Sequence, residues 1–256
     1  MIKQLWLKEI RAELYTWKST LWLLIASLLF SFTSYLLLTN KELSLLDQTE
    51  LLWLLGEIII GVAFLIIAID ASSIITTEFE KETAESLFLS PITLKDFIIG
   101  KFLASLTLWA MVFIVAVPYI IVASSGSNLV LPFLAYTAIL GTLGIAGLIM
   151  VIFGISLLYR SAKNTLTTSL VILLAFSIPA LFSSTLKSNT VADFFSRINP
   201  IDNIFSSLDN VLVDYQTSLL QNIKYLLPLL IFCIVSLVFL VFAAKRFKKE
   251  GVIKND

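Results

Sequence analysis

The sequence predicts an all-α membrane protein with six transmembrane helices. Hydrophobic residues make up 58% of the 256 residues and charged residues only 14%, whereas about a quarter of the residues in soluble domains are charged. Apolar windows of about 20 residues, the length needed to cross a hydrocarbon core of ~30 Å, recur along the chain. These windows are too long and too uniform for barrel strands, so a helical bundle is the expected way to satisfy the backbone in lipid.

Six apolar segments give the most economical division of the chain into spans. They are, in order, 19–38, 51–77, 102–121, 131–158, 166–186 and 225–244. Residues 1–256 are therefore predicted to form a single transmembrane domain in the lipid bilayer, with no nucleotide-binding domain in this chain. We expect no cleavable signal peptide, because mixed polar and apolar residues precede the first apolar run.

Lysine and arginine are distributed unequally between the two sides that these spans define. The fourteen on one side are Lys3, Lys8, Arg11, Lys18, Lys81, Lys95, Lys101, Arg160, Lys163, Lys245, Arg246, Lys248, Lys249 and Lys254, and the four on the other are Lys41, Lys187, Arg197 and Lys224. Cytoplasmic loops of membrane proteins are enriched in these cations. The count predicts a multi-pass protein of the cell membrane with both termini in the cytoplasm, together with the loop between the second and third spans.

Residues 1–18 are predicted to form an amphipathic helix. Apolar residues occupy a broad arc, with Lys8 and Arg11 on the opposite side, which favours an interfacial helix on the inner leaflet. A cytoplasmic extension of the first span is the alternative, because Glu9 and Glu13 interrupt the apolar face.

A second amphipathic helix is predicted in the long segment 187–224. Its apolar residues are Ile201, Ile204, Phe205, Leu208, Val211, Leu212, Tyr215 and Leu219, and they fall within an arc of about 120°. Asn199 is suited to cap this helix, and Pro200 to occupy its first position. We expect the segment to be an external helical loop between the fifth and sixth spans, with this helix on the outer surface of the membrane.

The residue types present argue against enzymatic chemistry in this chain. Histidine is absent and Cys233 is the single cysteine, so the commonest general base, the commonest metal ligand and an intrachain disulfide are all missing. The phosphate-binding pattern GxxxxGK[ST] is also absent, since Gly100-Lys101 lacks the upstream glycine and the following Ser or Thr. No catalytic, cofactor-binding or metal-binding residue is predicted, and no nucleic-acid partner.

Two acids and a set of glycines lie within predicted spans. Glu57 and Asp70 flank a run of apolar residues too short to cross a membrane, so at least one of them lies at membrane depth. They are either functional charges facing a pathway or a basic partner, or a structural pair or interfacial acid. The fourth span contains Gly141, Gly144, Gly147 and Gly154. They predict close helix packing, either inside the subunit or at a dimer seam.

The stretch from Glu78 to Lys101 carries eight charges in 24 residues, unlike the rest of the chain. Its first part has the periodicity of a charged helix, which Ser90-Pro91 is expected to end. Thr93 is suited to cap a second helix that leads into the third span. The pattern predicts a short cytoplasmic hairpin held between two spans, with a solvated connector as the alternative.

The same stretch resembles the signature of the ABC type-2 permease family, which reads acidic-Thr-Glu-Leu, Ser-Pro and Gly-Lys. The matching residues are Glu78, Glu80, Thr83, Glu85, Leu87, Ser90, Pro91, Gly100 and Lys101. Length, number of spans and the large last external loop agree with that family over the whole chain. Glu82 stands where the family usually has glycine, which implies a stiffer elbow or a different local fit to the partner.

The resemblance implies that this chain is the membrane permease subunit of an ATP-driven exporter, and not itself an enzyme. In that family the loop between the second and third spans docks on a separate ATPase subunit. The docking residues would be Glu78, Glu80, Glu82, Thr83, Glu85, Leu87, Ser90 and Pro91. Two such ATPase subunits would bind ATP and magnesium, and a second permease chain would complete a homodimer or heterodimer. A membrane scaffold or sensor without transport activity is the alternative.

Overall fold

The structure is a computed structural model that describes residue 6 and residues 17–39, 48–81, 93–125, 128–181, 196–214 and 219–249. Its helices are α1 (Trp17–Thr39), α2 (Gln48–Ile74), α3 (Thr76–Glu80), α4 (Leu94–Ala123), α5 (Val130–Tyr159), α6 (Ala162–Leu181), α7 (Pro200–Leu212) and α8 (Leu219–Lys249). Within these ranges no strand is present, which confirms the predicted all-α class. The N-terminal interfacial helix lies outside the described residues, apart from Trp6 and the first residues of α1.

Five helical stretches in the described part of the chain are long and apolar enough to cross a membrane. They are Trp17–Thr39, Gln48–Glu80, Leu94–Ala123, Val130–Tyr159 and Asn222–Lys249, and they coincide with the predicted first, second, third, fourth and sixth spans. At the predicted fifth span the apolar stretch Ala162–Ile178 is shorter than this. The predicted continuation of that span to residue 186 lies outside the described residues.

The centre of the bundle is formed by α2 and α5. In these two helices 56% and 61% of the apolar window is buried, compared with 17% in α1 and 22% in α8. Helix α2 contacts α1, α4, α5, α6 and α7, and α5 contacts α8 along their lengths. The peripheral helices α1 and α8 therefore keep wide apolar faces exposed, as helices that border lipid do.

Glycines allow the neighbours of α5 to approach its backbone closely. Gly141, Gly144, Gly147 and Gly154 face Trp109, Ile204, Phe232 and Phe239, respectively. A Cβ added at Gly141 would lie 2.6 Å from Trp109 Cζ2, well inside van der Waals contact. All four neighbours belong to this chain, so the interpretation of close packing inside the subunit is confirmed.

Two predicted helix starts are confirmed by their capping hydrogen bonds. The Thr93 hydroxyl accepts a hydrogen bond from the Asp96 N–H (3.2 Å) at the start of α4. The Asn199 side chain accepts hydrogen bonds from the N–H groups of Ile201 (2.9 Å) and Asp202 (3.4 Å) at the start of α7. Pro200 occupies the first position of α7. Both caps satisfy N–H groups that have no partner within their own helix.

Helix α7 packs into the bundle and does not lie free on a surface, while its predicted place on the external side of the membrane stays a prediction. Helix α7 ends at Leu212 and packs between α2, α5, α6 and α8. Its apolar residue Ile204 is fully buried and lies against Gly144, near the middle of α5. A helix on a surface would leave one face in solvent, but here the polar side chains of Asn203 and Asn210 are buried as well.

The polar face of α7 is buried because other parts of the chain satisfy its hydrogen bonds. The Asn210 amide donates to the Asn222 side-chain oxygen (3.1 Å), and the Ser207 hydroxyl donates to the same oxygen (3.3 Å). The Asn203 amide donates to the backbone carbonyl of Asn199 (2.7 Å). Because a buried polar group is costly only when it has no partner, these bonds allow a helix that looks amphipathic to enter the bundle.

One end of the bundle contains the start of α2, the end of α4 and the end of α7. The Gln48 amide donates to the Ala123 carbonyl oxygen (3.1 Å) and joins α2 to α4 there. Burial, together with the nearby carboxylates of Asp214 and Glu50, raises the pKa of Asp209 at this end. The opposite end holds the starts of α1, α4 and α6 and the ends of α3, α5 and α8, and we call it the charged end.

Candidate coupling site at the charged end

The structure describes both edges of the predicted coupling segment, residues 78–100, but not its middle. Glu78 and Glu80 lie on α3, and the segment resumes at Thr93 before α4. The predicted site residues Glu82, Thr83, Glu85, Leu87, Ser90 and Pro91 lie outside the described residues. Their predicted contact with an ATPase stays a prediction.

A cluster of hydroxyl side chains lies where α2 passes into α3. Ser72, Ser73, Thr76 and Thr77 each donate to a backbone carbonyl three or four residues earlier, at 2.7–2.9 Å. Such back-bonding competes with the regular helix ladder and commonly bends a helix. The cluster therefore explains locally why α2 and α3 are separated at Ile75.

Glu78 on α3 forms an ion pair with Lys101 on α4. The Lys101 Nζ donates to Glu78 Oε1 at 3.1 Å. The Lys101 side chain is only 4% exposed and the Glu78 side chain 24% exposed. The Lys101 ammonium also lies 5.6 Å from the centre of the Phe97 ring. The pair joins the two edges of the coupling segment, and removing one partner of such a buried pair is strongly destabilising.

Glu80 binds the start of α6. Its Oε1 accepts a hydrogen bond from the Ala162 N–H at 2.8 Å, and Ala162 is the first residue of α6. A carboxylate at this position satisfies an N–H group that the helix leaves open and interacts favourably with the helix dipole. The coupling segment is thus attached to α6 as well as to α4.

The ring of Phe247 joins α3 to two further helices. It is 1% exposed, with its centroid 5.2 Å from that of Phe79 on α3. The Arg160 guanidinium lies over the same ring at 4.9 Å. Arg160 follows α5 in a left-handed conformation with φ of 54°, which a residue other than glycine adopts at some energetic cost. Through Phe247, α3 therefore contacts both the end of α8 and the turn between α5 and α6.

Asp70 forms an ion pair with Lys18, at the start of α1. Lys18 Nζ lies 2.9 Å from Asp70 Oδ1 and donates a second hydrogen bond to the Ser73 hydroxyl at 2.8 Å. Asp70 Oδ2 is buried and has no hydrogen-bond partner within the described ranges. Pairing with a basic residue is one of the arrangements expected for this acid, and the structure identifies the residue as Lys18. Glu57, on the same helix, is half-buried at a separate position.

The structure adds residues that the sequence did not identify as parts of this site. The sequence had singled out Lys101 only as a cation and as part of a Gly-Lys motif, Lys18 and Arg160 only as cations, and Phe247 not at all. Because Glu78 and Lys101 are 23 positions apart, no helical periodicity connects them. Across the described ranges no group of three or more acidic or sulfur side chains is arranged to hold a metal ion.

These features define a multi-pass membrane protein, in which apolar helices long enough to span a bilayer have a charged end held together by contacts within the chain. A sequence model of the ABC-2 family transporter proteins matches residues 7–252, and the chain belongs to that family. The predicted resemblance is confirmed. No curated protein matches the sequence significantly. The chain is therefore a multi-pass membrane protein and a permease subunit of an ABC transporter, a family that associates with ABC ATPase subunits.

Proposed function

We propose that this chain is the membrane subunit of an exporter driven by a separate ATPase, with both termini and the charged end in the cytoplasm. Six spans would cross the membrane, with α6 belonging to the fifth. Two permease chains and two ATPase subunits would form the transporter, and cargo would pass between the permeases by alternating access or through a transient channel. The main support for this proposal is that contacts within the chain hold both edges of the coupling segment against the bundle.

The contacts of Glu78 and Glu80 support assigning different roles to different parts of the coupling segment. Both carboxylates bind groups of this chain, at Lys101 and Ala162. We assign to these two acids the task of holding the segment against the bundle. Direct contact with the ATPase is assigned to the stretch between the braced edges, which contains Thr83, Glu85, Leu87, Ser90 and Pro91.

A continuous set of contacts leads from the coupling segment to the far half of the bundle. Glu80 binds the start of α6. Near the other end of α6, the Phe176 carbonyl oxygen accepts a hydrogen bond of 2.6 Å from the Asn199 amide, at the start of α7. Displacement of the coupling segment would thereby move α6 and α7 together. An ATPase drives such a change only if its contacts differ between its own two states.

Asp70 is proposed to lie at the cytoplasmic edge of the pathway, where Lys18 holds one of its two oxygens. An ionisable residue at membrane depth is by default a functional-site hypothesis. The second carboxylate oxygen of Asp70 is buried. It would bond to a polar cargo as the cargo passes, or gain a partner when the conformation changes. Glu57 is the second candidate charge along the same helix.

Copurification with the wild-type chain and with Glu85→Lys tests the coupling assignment. The tagged wild-type chain should recover an ABC ATPase from native membranes, and ATP hydrolysis should be stimulated by the permease in liposomes. Glu85→Lys places a cation against a surface suited to an acid, a mismatch that costs several kcal/mol. We expect recovery or stimulation to be lost, with the gel-filtration profile of the permease unchanged.

Asp214→Lys provides the matched control, because Asp214 is an exposed acid at the opposite end of the bundle. It should recover the ATPase as the wild type does. Wild-type recovery and wild-type hydrolysis with Glu85→Lys would contradict the coupling assignment. If the wild-type chain recovers no ATPase, the chain is better described as a scaffold or sensor.

A further inference from the structure

The turn between α5 and α6 consists of residues 160 and 161 alone. The Arg160 N–H donates to the Ser156 carbonyl oxygen (2.9 Å) and completes the last turn of α5. The carbonyl oxygen of the next residue, Ser161, accepts a hydrogen bond from the Thr165 N–H (3.0 Å) and begins α6. Because the bonding pattern of one helix follows directly on that of the other, the direction of α6 depends chiefly on the backbone conformation at Arg160.

Arg160 has a backbone conformation that arginine rarely adopts. Its φ of 54° is left-handed, and no other non-glycine residue in the described ranges has a positive φ. Glycine is the usual residue at such helix ends, because it lacks the Cβ that makes this conformation costly. The Arg160 guanidinium, however, lies over the Phe247 ring at 4.9 Å, and guanidinium groups stack favourably on aromatic faces. The side chain therefore makes a contact that glycine cannot make.

The contacts of Arg160 belong to a closed ring that includes the coupling segment. The Phe247 ring lies against Phe79 of α3, with 5.2 Å between their centroids. Glu80, the residue after Phe79, accepts a hydrogen bond of 2.8 Å from the Ala162 N–H. Ala162 is two residues after Arg160, so the ring closes there. The start of α6 is thus joined to α3 by two routes, one through Glu80 and one through Phe247.

The route through Phe247 supports the weaker route through Glu80. The Glu80–Ala162 hydrogen bond is exposed, and water competes with exposed hydrogen bonds, so this bond alone contributes little to holding α6 in place. Phe247 is only 1% exposed, so its ring contacts are largely shielded from water. A turn held against this ring keeps the Ala162 N–H close to the Glu80 carboxylate.

We propose that Arg160 is a positioning residue for coupling. By holding the turn against Phe247, it keeps the start of α6 where Glu80 binds it, so that movement of the coupling segment reaches α6. This inference rests on the proposed function and deepens it, because it names a residue outside the coupling segment on which that step depends.

Arg160→Gly tests the side chain separately from the backbone, because glycine adopts a φ of 54° without strain. Relieved strain and the lost ring contact act in opposite directions, so Tm should stay within about 4 °C of the wild-type value. The ATPase that copurifies with the wild-type chain is identified by mass spectrometry, purified separately and added to permease in phosphatidylcholine nanodiscs. Its affinity should be unchanged, since the residues assigned to the ATPase contact are intact. Stimulation of ATP hydrolysis should fall roughly fivefold, a change within the range of one cation–π contact.

Three variants serve as controls for this loss. Arg160→Lys keeps a cation that can lie over the ring and should retain most of the stimulation. Lys163→Gln removes an exposed cation from the first turn of α6 and should stimulate as the wild type does. Glu80→Ala should also lose stimulation, and adding Arg160→Gly to it should cause no further loss, because both residues act through the same link.

Wild-type stimulation with Arg160→Gly would overturn the inference and leave the proposed function intact, whereas a wild-type permease that binds no ATPase would overturn both. A further loss when Arg160→Gly is added to Glu80→Ala would mean that Arg160 does not act through Glu80, and the inference would be wrong. Loss of stimulation only in proportion to the folded permease lost in gel filtration would show a structural role and also overturn it. If Arg160→Gly does not fold, Phe247→Leu removes the ring from the other side of the contact, and wild-type stimulation by that variant would overturn the inference.

Discussion

The Glu78–Lys101 pair gives the sharpest prediction about the base of the coupling segment. At 3.1 Å and an effective dielectric constant of about 20, Coulomb's law gives an attraction of roughly 5 kcal/mol before desolvation is subtracted. Removing one partner of a buried pair costs roughly 3–5 kcal/mol, because a charge stays behind in the interior. Glu78→Gln leaves the charge of Lys101, whose side chain is 4% exposed, whereas Lys101→Met leaves the charge of Glu78, whose side chain is 24% exposed. Because the more buried charge costs more, Glu78→Gln should destabilise the protein more than Lys101→Met.

A double-mutant cycle with Glu78→Gln, Lys101→Met and the double variant measures the pair itself. For a chain of this length, 1 kcal/mol corresponds to about 2–4 °C in Tm, so a loss of roughly 3–5 kcal/mol in Glu78→Gln should lower Tm in detergent micelles by roughly 6–20 °C. The double variant should be more stable than the sum of the single effects predicts. Stimulation of the ATPase should fall in the single variants and recover in part in the double variant.

Two outcomes of the cycle would refute this reasoning. Additive single effects would mean that the two charges do not interact. A larger loss of stability for Lys101→Met than for Glu78→Gln would mean that the buried ammonium of Lys101 is not the main source of the destabilisation. Either result would remove the ion pair from the account of how the coupling segment is held.

Three further predictions concern packing, charge and topology. Gly141→Ala pushes a Cβ into the indole ring packed against it and should destabilise the protein by about 1–3 kcal/mol. Gly61→Ala, where a Cβ would have nothing within 4 Å, should be neutral or stabilising in a thermal melt. Equal melting temperatures for the two variants would contradict the packing argument. Asp70→Asn keeps the shape and removes the charge, so transport should fall more than assembly; normal transport would exclude a functional role. Single cysteines at Ser188 and Thr83 in a cysteine-free background should react with an impermeant thiol reagent from opposite sides of the membrane, and labelling of both from outside in intact cells would refute the six-span topology.

Local chemistry allowed several features to be predicted from the sequence. The caps at Thr93 and Asn199 depend on side chains that bond to N–H groups two or three residues later. The few residues around each helix start are therefore enough to predict the cap. The apolar runs likewise predict spans because the ~30 Å thickness of the bilayer core sets their length. Five of the six predicted spans coincide with helices of sufficient length and hydropathy among the described residues.

Tertiary partners account for what the sequence did not reveal. Asn203, Ser207 and Asn210 have the spacing of a solvent-facing stripe, and only the remote Asn222 and backbone carbonyls explain their burial. Glu78 appeared to be part of an acidic helix face available to a partner, but the structure pairs it with Lys101. The contacts made by Asn222 and Lys101 join positions that no local periodicity relates.

Photo-crosslinking from the coupling segment tests the central claim most directly. A photoreactive phenylalanine analogue is placed at Glu85 or at Ser188 in the tagged chain, native membranes are irradiated, and the adducts are identified by mass spectrometry. The account predicts an adduct with an ABC ATPase subunit from position 85 and none from position 188. An ATPase adduct from position 188, or the absence of one from position 85, would contradict the claim that this segment couples the permease to ATP hydrolysis.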